Sequence, residues 1–277
     1  MSEFAAHASA HPKAHRARKR FGQNFLVDQS IINRIVDSID PKPGQHIVEI
    51  GPGQAALTRK LIAALGPKGS IDAIEIDRDL VARLVHEFDA GKLRVHQADA
   101  MEFDFATLPA PPGTKMRVVG NLPYNISTPI LFRLCEYENR ISDMTFMLQK
   151  EVVDRMAALA GEDARGRLSV MLQYRFKIDK CFDVPPTAFK PVPAVDSSIV
   201  RLTPLSEKRL KPKDEKAFAL MVTHAFAKRR KMLRNSLSAW VTPDGWGTIG
   251  VDPKARAEDL TTLEFVAISD WAFANKT

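Results

Sequence analysis

A short polar segment in the middle of the chain has the residue types of a site that binds an amino group. The apolar run 116–119 has the composition of a buried strand and leads through a glycine into the tetrapeptide Asn-Leu-Pro-Tyr. One exocyclic amino group could donate hydrogen bonds to both the side-chain oxygen of Asn121 and the backbone carbonyl of Leu122. Pro123 restricts the backbone that aims these acceptors, and Tyr124 could stack on a base turned out of its helix. The segment therefore predicts a site that frees the nitrogen lone pair of adenine for attack, with a plain strand-to-helix turn as the alternative.

A glycine-rich turn, Gly-Pro-Gly-Gln-Ala-Ala, follows an earlier apolar run. Gly51 and Gly53 allow the backbone to approach a ligand closely. The segment also fits the dinucleotide pattern GxGxxG/A, so a hydride-transfer enzyme that binds NAD is a second interpretation. Glu49 stands two residues before the first glycine and Pro52 stiffens the turn, and both features favour a cofactor without a pyrophosphate.

Two carboxylates stand where later strands are predicted to end. Glu75 lies 24 positions beyond Gly51, close to the roughly 20 expected for an acid that binds the ribose hydroxyls of a nucleoside. Asp99 follows the next apolar run and could accept a hydrogen bond from an adenine amino group. Each acid alone is more often a helix cap or a surface charge. Together they predict a nucleoside cofactor with a cationic reactive centre, for which S-adenosylmethionine is the natural candidate.

The elements that must position these residues follow from the hydrophobic pattern. Helical patterns at 57–65 and 80–88 fall between the apolar runs, and Thr128-Pro129 predicts a cap and a first-turn proline for a helix through Cys135. Alternating strands and helices predict an α/β, Rossmann-like parallel sheet that binds ligands at the carboxyl ends of its strands. The predicted strands are 46–50, 70–76, 92–97, 116–119 and 144–149.

The strand pattern stops after Leu202, and the rest of the chain has helical patterns separated by proline- and glycine-containing turns. We therefore expect three parts. They are a basic flexible tail at 1–20, a cofactor-binding catalytic domain at 21–203 and a helical RNA-binding domain at 204–277.

The net charge of the 277-residue chain is +7, which favours a polyanionic partner. The cations cluster at 13–20 and at 228–234. Because the second cluster follows the apolar run 218–226, the spacing predicts one helix with a buried face and a basic face that contacts RNA. A solvated tail and an exposed helix face are the alternatives.

Several classes of protein and site are disfavoured by the composition. Cys135 and Cys181 lack the spacing of a zinc site or a disulfide framework, and we expect no metal. No apolar run approaches the ~20 residues of a membrane span, and no secretory signal is recognisable at the N-terminus. These features predict a cytoplasmic protein without a membrane partner, and we expect a monomer.

Eight segments together resemble the ribosomal RNA adenine dimethyltransferase family, in particular its bacterial small-subunit branch. The resemblance covers nearly the whole chain and implies methylation by S-adenosylmethionine of two adjacent adenines in the 3′-terminal hairpin loop of 16S rRNA, linked to subunit biogenesis. A DNA adenine methyltransferase and a non-enzymatic assembly factor are alternatives. The segments are KRFGQNFLVD, VEIGPG, AIEID, NLPYNISTPI, MLQKEVVDR, GRLSV, PVPAVDSSIV and FAKRRKMLRNSL.

The resemblance also implies roles for individual residues. The segment GQNFL would by itself predict a turn and a helix start, yet the family places two cofactor contacts there. The implied cofactor contacts are Asn24, Leu26, Gly51, Glu75, Asp99 and Asn121, and the implied catalytic segment is Asn121, Leu122, Pro123 and Tyr124. Phe189 resembles an aromatic residue that flanks the target base, with a core phenylalanine as the alternative. The expected RNA contacts are Arg229, Arg230 and Lys231.

Two positions depart from the family pattern, since many relatives have glycine where Ala55 stands and an aromatic residue where Arg165 stands. We expect Ala55 to affect how the glycine-rich turn meets its helix. Because Arg165 replaces an aromatic residue, the family's loop contacts with RNA are not expected to apply exactly to this chain.

Overall fold

The computed structural model describes residues 24–109, 114–205, 209–228 and 230–275, and its centre is a seven-stranded sheet. The predicted basic tail at 1–20 lies outside these residues. Five strands are parallel, in the spatial order β4 (Leu93–Gln97), β3 (Ser70–Glu75), β2 (His46–Ile50), β5 (Met116–Asn121) and β6 (Ile141–Gln149). The α/β class is confirmed. The parallel arrangement holds for these five strands, because β9 (Ser197–Pro204) pairs antiparallel with β6 and with the edge strand β7 (Phe176–Val184).

Helices cover both faces of the sheet because each buries an apolar stripe against it. On one face lie α1 (Gln29–Ile39), α2 (Ala56–Leu65) and α3 (Arg78–Glu87). On the other face lie α4 (Ser127–Cys135), α5 (Lys150–Ala157) and α6 (Arg167–Gln173). The periodicity of α1 is typical, since Ile32, Ile35 and Ile39 are buried at three-to-four spacing.

Two local predictions fail next to the site. Helix α4 begins at Ser127 rather than being capped by Thr128, because a turn closed by the Ile126 N–H and the Pro123 carbonyl at 3.1 Å leads directly into the helix. The segment around Leu26 is not a helix start. Strand β1 (Phe25–Leu26) pairs antiparallel with β8 (Phe189–Lys190), and α1 begins only after Asp28, whose carboxylate accepts the Ser30 N–H at 2.8 Å.

The chain after the sheet is helical, as the sequence predicts. Its helices are α7 (Glu215–Ala227), α8 (Leu233–Ser236), α9 (Gly245–Ile249) and α10 (Thr262–Ala274). Phe218, Trp246 and Phe265 lie in a separate core, to which Val170 and Tyr174, from α6 and its C-terminal end, also contribute. No helix in the described ranges is both long and apolar enough to cross a membrane.

The prediction of a basic helix face at 228–231 is wrong. Helix α7 ends at Ala227, and the Lys231 N–H closes a turn on the Lys228 carbonyl at 2.8 Å. The chain must then turn inward, because Leu233 is fully buried and its N–H donates to the Ala255 carbonyl at 2.9 Å. Lys228, Arg230 and Lys231 therefore lie between α7 and α8 and not on one helix face.

Arg165 ties the two cores together instead of facing solvent. Its side chain is 1% exposed, and its guanidinium donates to the carbonyls of Leu260 at 2.8 Å and Ala158 at 2.9 Å. It also donates to the Gln173 side chain at 2.9 Å and to the Thr262 hydroxyl at 3.2 Å. Burial lowers the pKa of Arg165, and the nearby Glu162 and Glu264 oppose that shift. The arginine thus joins the segments beside α6 to the start of α10.

Candidate active site

One cavity opens at the carboxyl ends of the parallel strands, where the sequence predicts ligand binding. Because β4, β3, β2 and β5 are neighbours in that order, the residues that follow them meet along one edge of the sheet. The cavity is lined by every residue that the family resemblance assigned to the cofactor or to catalysis: Asn24, Leu26, Gly51, Glu75, Asp99, Asn121, Leu122, Pro123 and Tyr124.

The glycine-rich turn brings backbone rather than side chains to this cavity. Gly51 and Gly53 have φ angles of +69° and +57°, which L side chains rarely adopt. A Cβ atom on Gly53 would also lie 3.3 Å from the Phe25 ring. Ala55 has a φ of +63° at the N-cap of α2, so the departure from glycine places a strained alanine at the start of that helix.

Glu75 is held by backbone donors on two sides. Its Oε1 accepts the Asp77 N–H at 2.9 Å, and its Oε2 accepts the Gly53 N–H at 3.2 Å. Burial raises the pKa of Glu75, which is 5% exposed, and the two backbone hydrogen bonds oppose that rise. Each carboxylate oxygen can accept more than one hydrogen bond, so the pair of oxygens retains acceptor capacity for a diol such as ribose.

Asp99 lies one strand farther along the edge. Its Oδ1 accepts the Met101 N–H at 2.8 Å, which fixes the carboxylate at the start of the following turn. The side chain is half-buried and lines the cavity. It therefore presents an acceptor about one strand spacing, ~5 Å, from the end of β3 where Glu75 lies, so the two carboxylates can bind neighbouring parts of one nucleoside.

The Asn121 amide has a defined orientation. Its Nδ2 donates to the Asn24 carbonyl at 3.1 Å. Because a carbonyl can only accept, this contact requires the amide nitrogen to face Asn24 and turns the amide oxygen away from it. Asn121 is also the last residue of β5, two residues beyond the end that the sequence predicts. The result is a fixed acceptor at the edge of the cavity.

Tyr124 is anchored from the antiparallel part of the sheet. Its hydroxyl lies 2.7 Å from the Ser197 Oγ at the start of β9. Burial raises the pKa of the Tyr124 phenol, and the hydrogen bond to Ser197 opposes that rise. The ring is held at one end and lines the cavity with its body, which is suitable for stacking on an aromatic ligand.

The remaining predicted residues are not brought to this cavity. Phe189 is 1% exposed and pairs with Leu26, so its ring packs in the core beneath the β1–β8 ribbon. Arg230 and Lys231 are exposed on the turn after α7, and Arg229 lies outside the described residues.

Two supporting contacts were missed by sequence reasoning. Ser197 belongs to a segment that carries the family resemblance, but its type gave no sign of a contact with Tyr124, 73 positions away. The Asn24 carbonyl is a backbone group, so no residue type could reveal it. In the described part of the chain, no cluster of three or more His, Cys, Asp or Glu side chains could hold a metal ion.

The hydrogen-bonding groups that line the cavity suit S-adenosylmethionine better than NAD. Carboxylates at two successive strand ends can bind a ribose and an adenine, and they favour a cation nearby. Glu75 occupies the Gly53 N–H, one of the backbone donors that a pyrophosphate would require at this turn.

Comparison with known proteins agrees with this geometry. The family model for ribosomal RNA adenine dimethylase matches residues 14–273. A protein from Aromatoleum aromaticum named ribosomal RNA small subunit methyltransferase A is 54% identical over 260 residues, covering 94% of this chain and 96% of the relative. A protein of the same name from Laribacter hongkongensis is 51% identical, covering 92% and 96%.

Solved structures show the same fold. The 23S rRNA methyltransferase ErmE superposes with a TM-score of 0.70 at 25% identity, covering 90% of this chain and all of ErmE. A dimethyladenosine transferase from Plasmodium falciparum superposes with a TM-score of 0.73 at 23% identity, covering 88% and 95%.

Proposed function

The chain belongs to the ribosomal RNA adenine dimethylase family, and we propose that it dimethylates two adjacent adenines in the 3′-terminal hairpin loop of 16S rRNA. It is an S-adenosylmethionine-dependent rRNA adenine dimethyltransferase. The choice of small-subunit rRNA is supported by relatives of about 50% identity whose names specify the small subunit.

The orientation of the Asn121 amide is the observation that carries the proposed chemistry. With its nitrogen committed to Asn24, the amide oxygen is the group left to accept a hydrogen bond from the target amino group. The adjacent Leu122 carbonyl is the second acceptor. Two acceptors on one amino group favour a pyramidal nitrogen whose lone pair is available, whereas in free adenine that pair is delocalised into the ring.

S-adenosylmethionine supplies an electrophilic methyl group when it is bound. The residues of this chain hold the two reactants in line: Glu75 and Asp99 fix the nucleoside, and Asn121 and Tyr124 fix the target base. Holding two reactants in this way can lower the activation free energy of a reaction by ~7–11 kcal/mol. A general base is not required before transfer, because the attacking nitrogen loses its proton afterwards to water.

We propose further that the enzyme acts as a monomer in the cytoplasm on assembling small subunits. Arg230, Lys231 and the neighbouring Arg229 of the sequence are its RNA-contacting cations, and 204–277 is its RNA-binding domain. Phe189 supports the target-base side of the site from beneath the β1–β8 ribbon. The exposed cations on a turn suit contact with phosphates of irregular RNA.

The direct test is to map methylated adenines in rRNA from cells with and without this protein. Primer extension across the terminal hairpin of 16S rRNA should stop at two adjacent positions only when the protein is present. Stops restored by wild type but not by Asn121→Ala would tie the modification to this site. A methylated adenine in 23S rRNA or in DNA, with the 16S hairpin unchanged, would refute the proposed substrate.

A further inference from the structure

A pair of aromatic rings lies at the surface of the helical part of the chain, outside the cavity described above. The indole Nε1 of Trp240 donates to the His224 Nδ1 at 2.9 Å, and the two ring centroids are 5.7 Å apart in an edge-to-face arrangement. His224 is exposed on α7, and Trp240 is half-buried in the turns that follow α8. Neither residue lines the catalytic cavity, so the methyl transfer gives the pair no role.

The indole of Trp240 is held on two sides. An indole N–H can only donate, so the His224 Nδ1 is the acceptor and this hydrogen bond fixes the edge of the ring. The rest of the side chain packs against the core of the helical part. A ring that is already fixed has little rotamer freedom to lose when a ligand binds, so Trp240 provides a contact surface at low entropic cost.

The charge around the ring pair has one sign. Lys228, one helical turn beyond His224, is exposed, and so are Arg230 and Lys231 on the turn that follows α7. The segment 216–243, which contains both rings, has six lysines and arginines but no aspartate or glutamate. A fixed aromatic surface beside several cations suits a ligand that is both anionic and aromatic, which is the chemistry of a nucleic acid.

The ring pair favours an unpaired base over a double helix. In A-form RNA the faces of the bases are covered by their neighbours, and only their edges and the backbone are accessible. An unpaired base exposes a face that can stack on a tryptophan or a histidine ring. Phosphates on either side of such a base would be within the range of flexible lysine and arginine side chains.

We propose that Trp240, held by His224, is a stacking site for an unpaired RNA base whose flanking phosphates are bound by Lys228, Arg230 and Lys231. The inference rests on the proposed RNA-binding role of 204–277 and adds a contact with a base to that role. Because the ring pair belongs to the helical part, the stacked base is not the adenine that occupies the catalytic cavity. The site contributes affinity for RNA and takes no part in the chemistry.

The test compares two labelled RNA probes of equal length and charge by fluorescence anisotropy with the full-length protein. One is oligocytidylate, which has no adenine for the catalytic cavity, and the other is an abasic ribose–phosphate oligomer. Trp240→Ala should weaken oligocytidylate roughly 5- to 150-fold, the loss expected for one base stacked on an aromatic ring. Binding of the abasic oligomer should stay within about twofold of wild type, and the salt dependence should be unchanged because it reflects phosphate contacts. Trp240→Phe, which keeps a ring, should retain most of the affinity.

The matched control is Phe273→Ala, which removes an aromatic side chain that is 44% exposed on α10 and should bind both probes as wild type does. Equal binding of the two probes by the wild-type protein, or wild-type binding of oligocytidylate by Trp240→Ala, would overturn the proposal. If Trp240→Ala does not fold, the difference in tryptophan fluorescence between wild type and Trp240→Phe decides the question. Oligocytidylate should quench that difference signal, and the abasic oligomer should not; equal quenching would refute the stacking. Failure of the wild-type protein to bind either probe would instead refute the RNA-binding role of 204–277.

Discussion

The carboxyl edge of the sheet and the turn at 228–231 both carry polar side chains, but they hold them differently. At the sheet edge, Glu75 accepts two backbone N–H groups and Asn121 donates to a backbone carbonyl, so each side chain has one orientation. On the turn, Arg230 and Lys231 are exposed. Fixed groups suit a reaction that depends on alignment, whereas exposed cations suit a phosphate backbone of variable shape. Changes at the edge should therefore alter chemistry, and changes on the turn should alter affinity for RNA.

The largest effect is expected at Asn121. Asn121→Ala should reduce single-turnover methylation roughly 10²- to 10³-fold, the range seen when one fixed group that stabilises a transition state is removed. Binding of RNA should change little, because the missing acceptor acts on the amino group as it reacts. Rapid-quench methylation at saturating substrate measures the rate, and filter binding provides the control. A near wild-type rate would contradict the role of the amide.

Arg165 should have the largest effect on stability, since it joins the two cores. Arg165→Met removes the donors to the Leu260 and Ala158 carbonyls and should lower the free energy of unfolding by about 2–4 kcal/mol. Urea denaturation followed by circular dichroism measures the change. The matched control is Arg167→Met, because Arg167 is exposed. Equal stability of the two variants would show that the buried hydrogen bonds do not hold the cores together.

Glu75→Ala should weaken the binding of S-adenosylmethionine by about 1–3 kcal/mol, because the charge-assisted hydrogen bonds to the ribose are lost. Calorimetric titration gives the affinity, with NAD as the competing ligand. Tight binding of NAD, with no heat from S-adenosylmethionine, would contradict the assignment of the sheet edge as an S-adenosylmethionine site.

Arg230→Ala combined with Lys231→Ala should flatten the salt dependence of binding to small-subunit particles. Removing one phosphate-binding cation should reduce the slope of log K against log salt by about 0.7–0.9. Cofactor affinity and the methylation rate at saturating RNA should be unchanged. Lys42→Ala with Lys68→Ala is the control, because both exposed lysines precede strands at the opposite edge of the sheet. Equal slopes for the two double variants would show that the turn is a solvated surface that does not contact RNA.

The smallest effect is expected from Ala55→Gly. The alanine has a φ of +63°, and glycine adopts that conformation without the steric cost of a Cβ atom. The substitution should raise the free energy of unfolding by ~1 kcal/mol without changing cofactor affinity. Thermal denaturation detects this difference. A loss of stability would show that the methyl group of Ala55, which is fully buried, contributes more packing than strain.

The sheet edge could be predicted from the sequence because its signals are local. Each strand is an apolar run followed by the residue that reaches the cavity, so Gly51, Glu75, Asp99 and Asn121 could be aligned by topology alone. Asn24 was reached only by family resemblance, because its contact with Asn121 spans 97 positions and uses a backbone carbonyl.

The helical part could not be predicted to the same depth. The apolar run 218–226 correctly predicts α7, but periodicity within the run does not reveal that the helix ends at Ala227 or that the Leu233 N–H donates to the Ala255 carbonyl. The burial of Arg165 could not be predicted either, because its partners are distant in the sequence. An arginine in a polar loop is usually exposed, and the carbonyls that bury this one come from Ala158 and from Leu260, 95 positions away.

A crystal structure of the protein with S-adenosylhomocysteine and an adenosine nucleotide would test the central claim most directly. We predict that the Glu75 carboxylate binds the ribose diol, that Asp99 accepts from the cofactor adenine, and that the Asn121 amide oxygen accepts from the amino group of the target adenine. The Asn121 nitrogen should remain on the Asn24 carbonyl. A cofactor bound away from the strand ends, or an Asn121 amide oxygen turned away from the target amino group, would contradict the proposed mechanism.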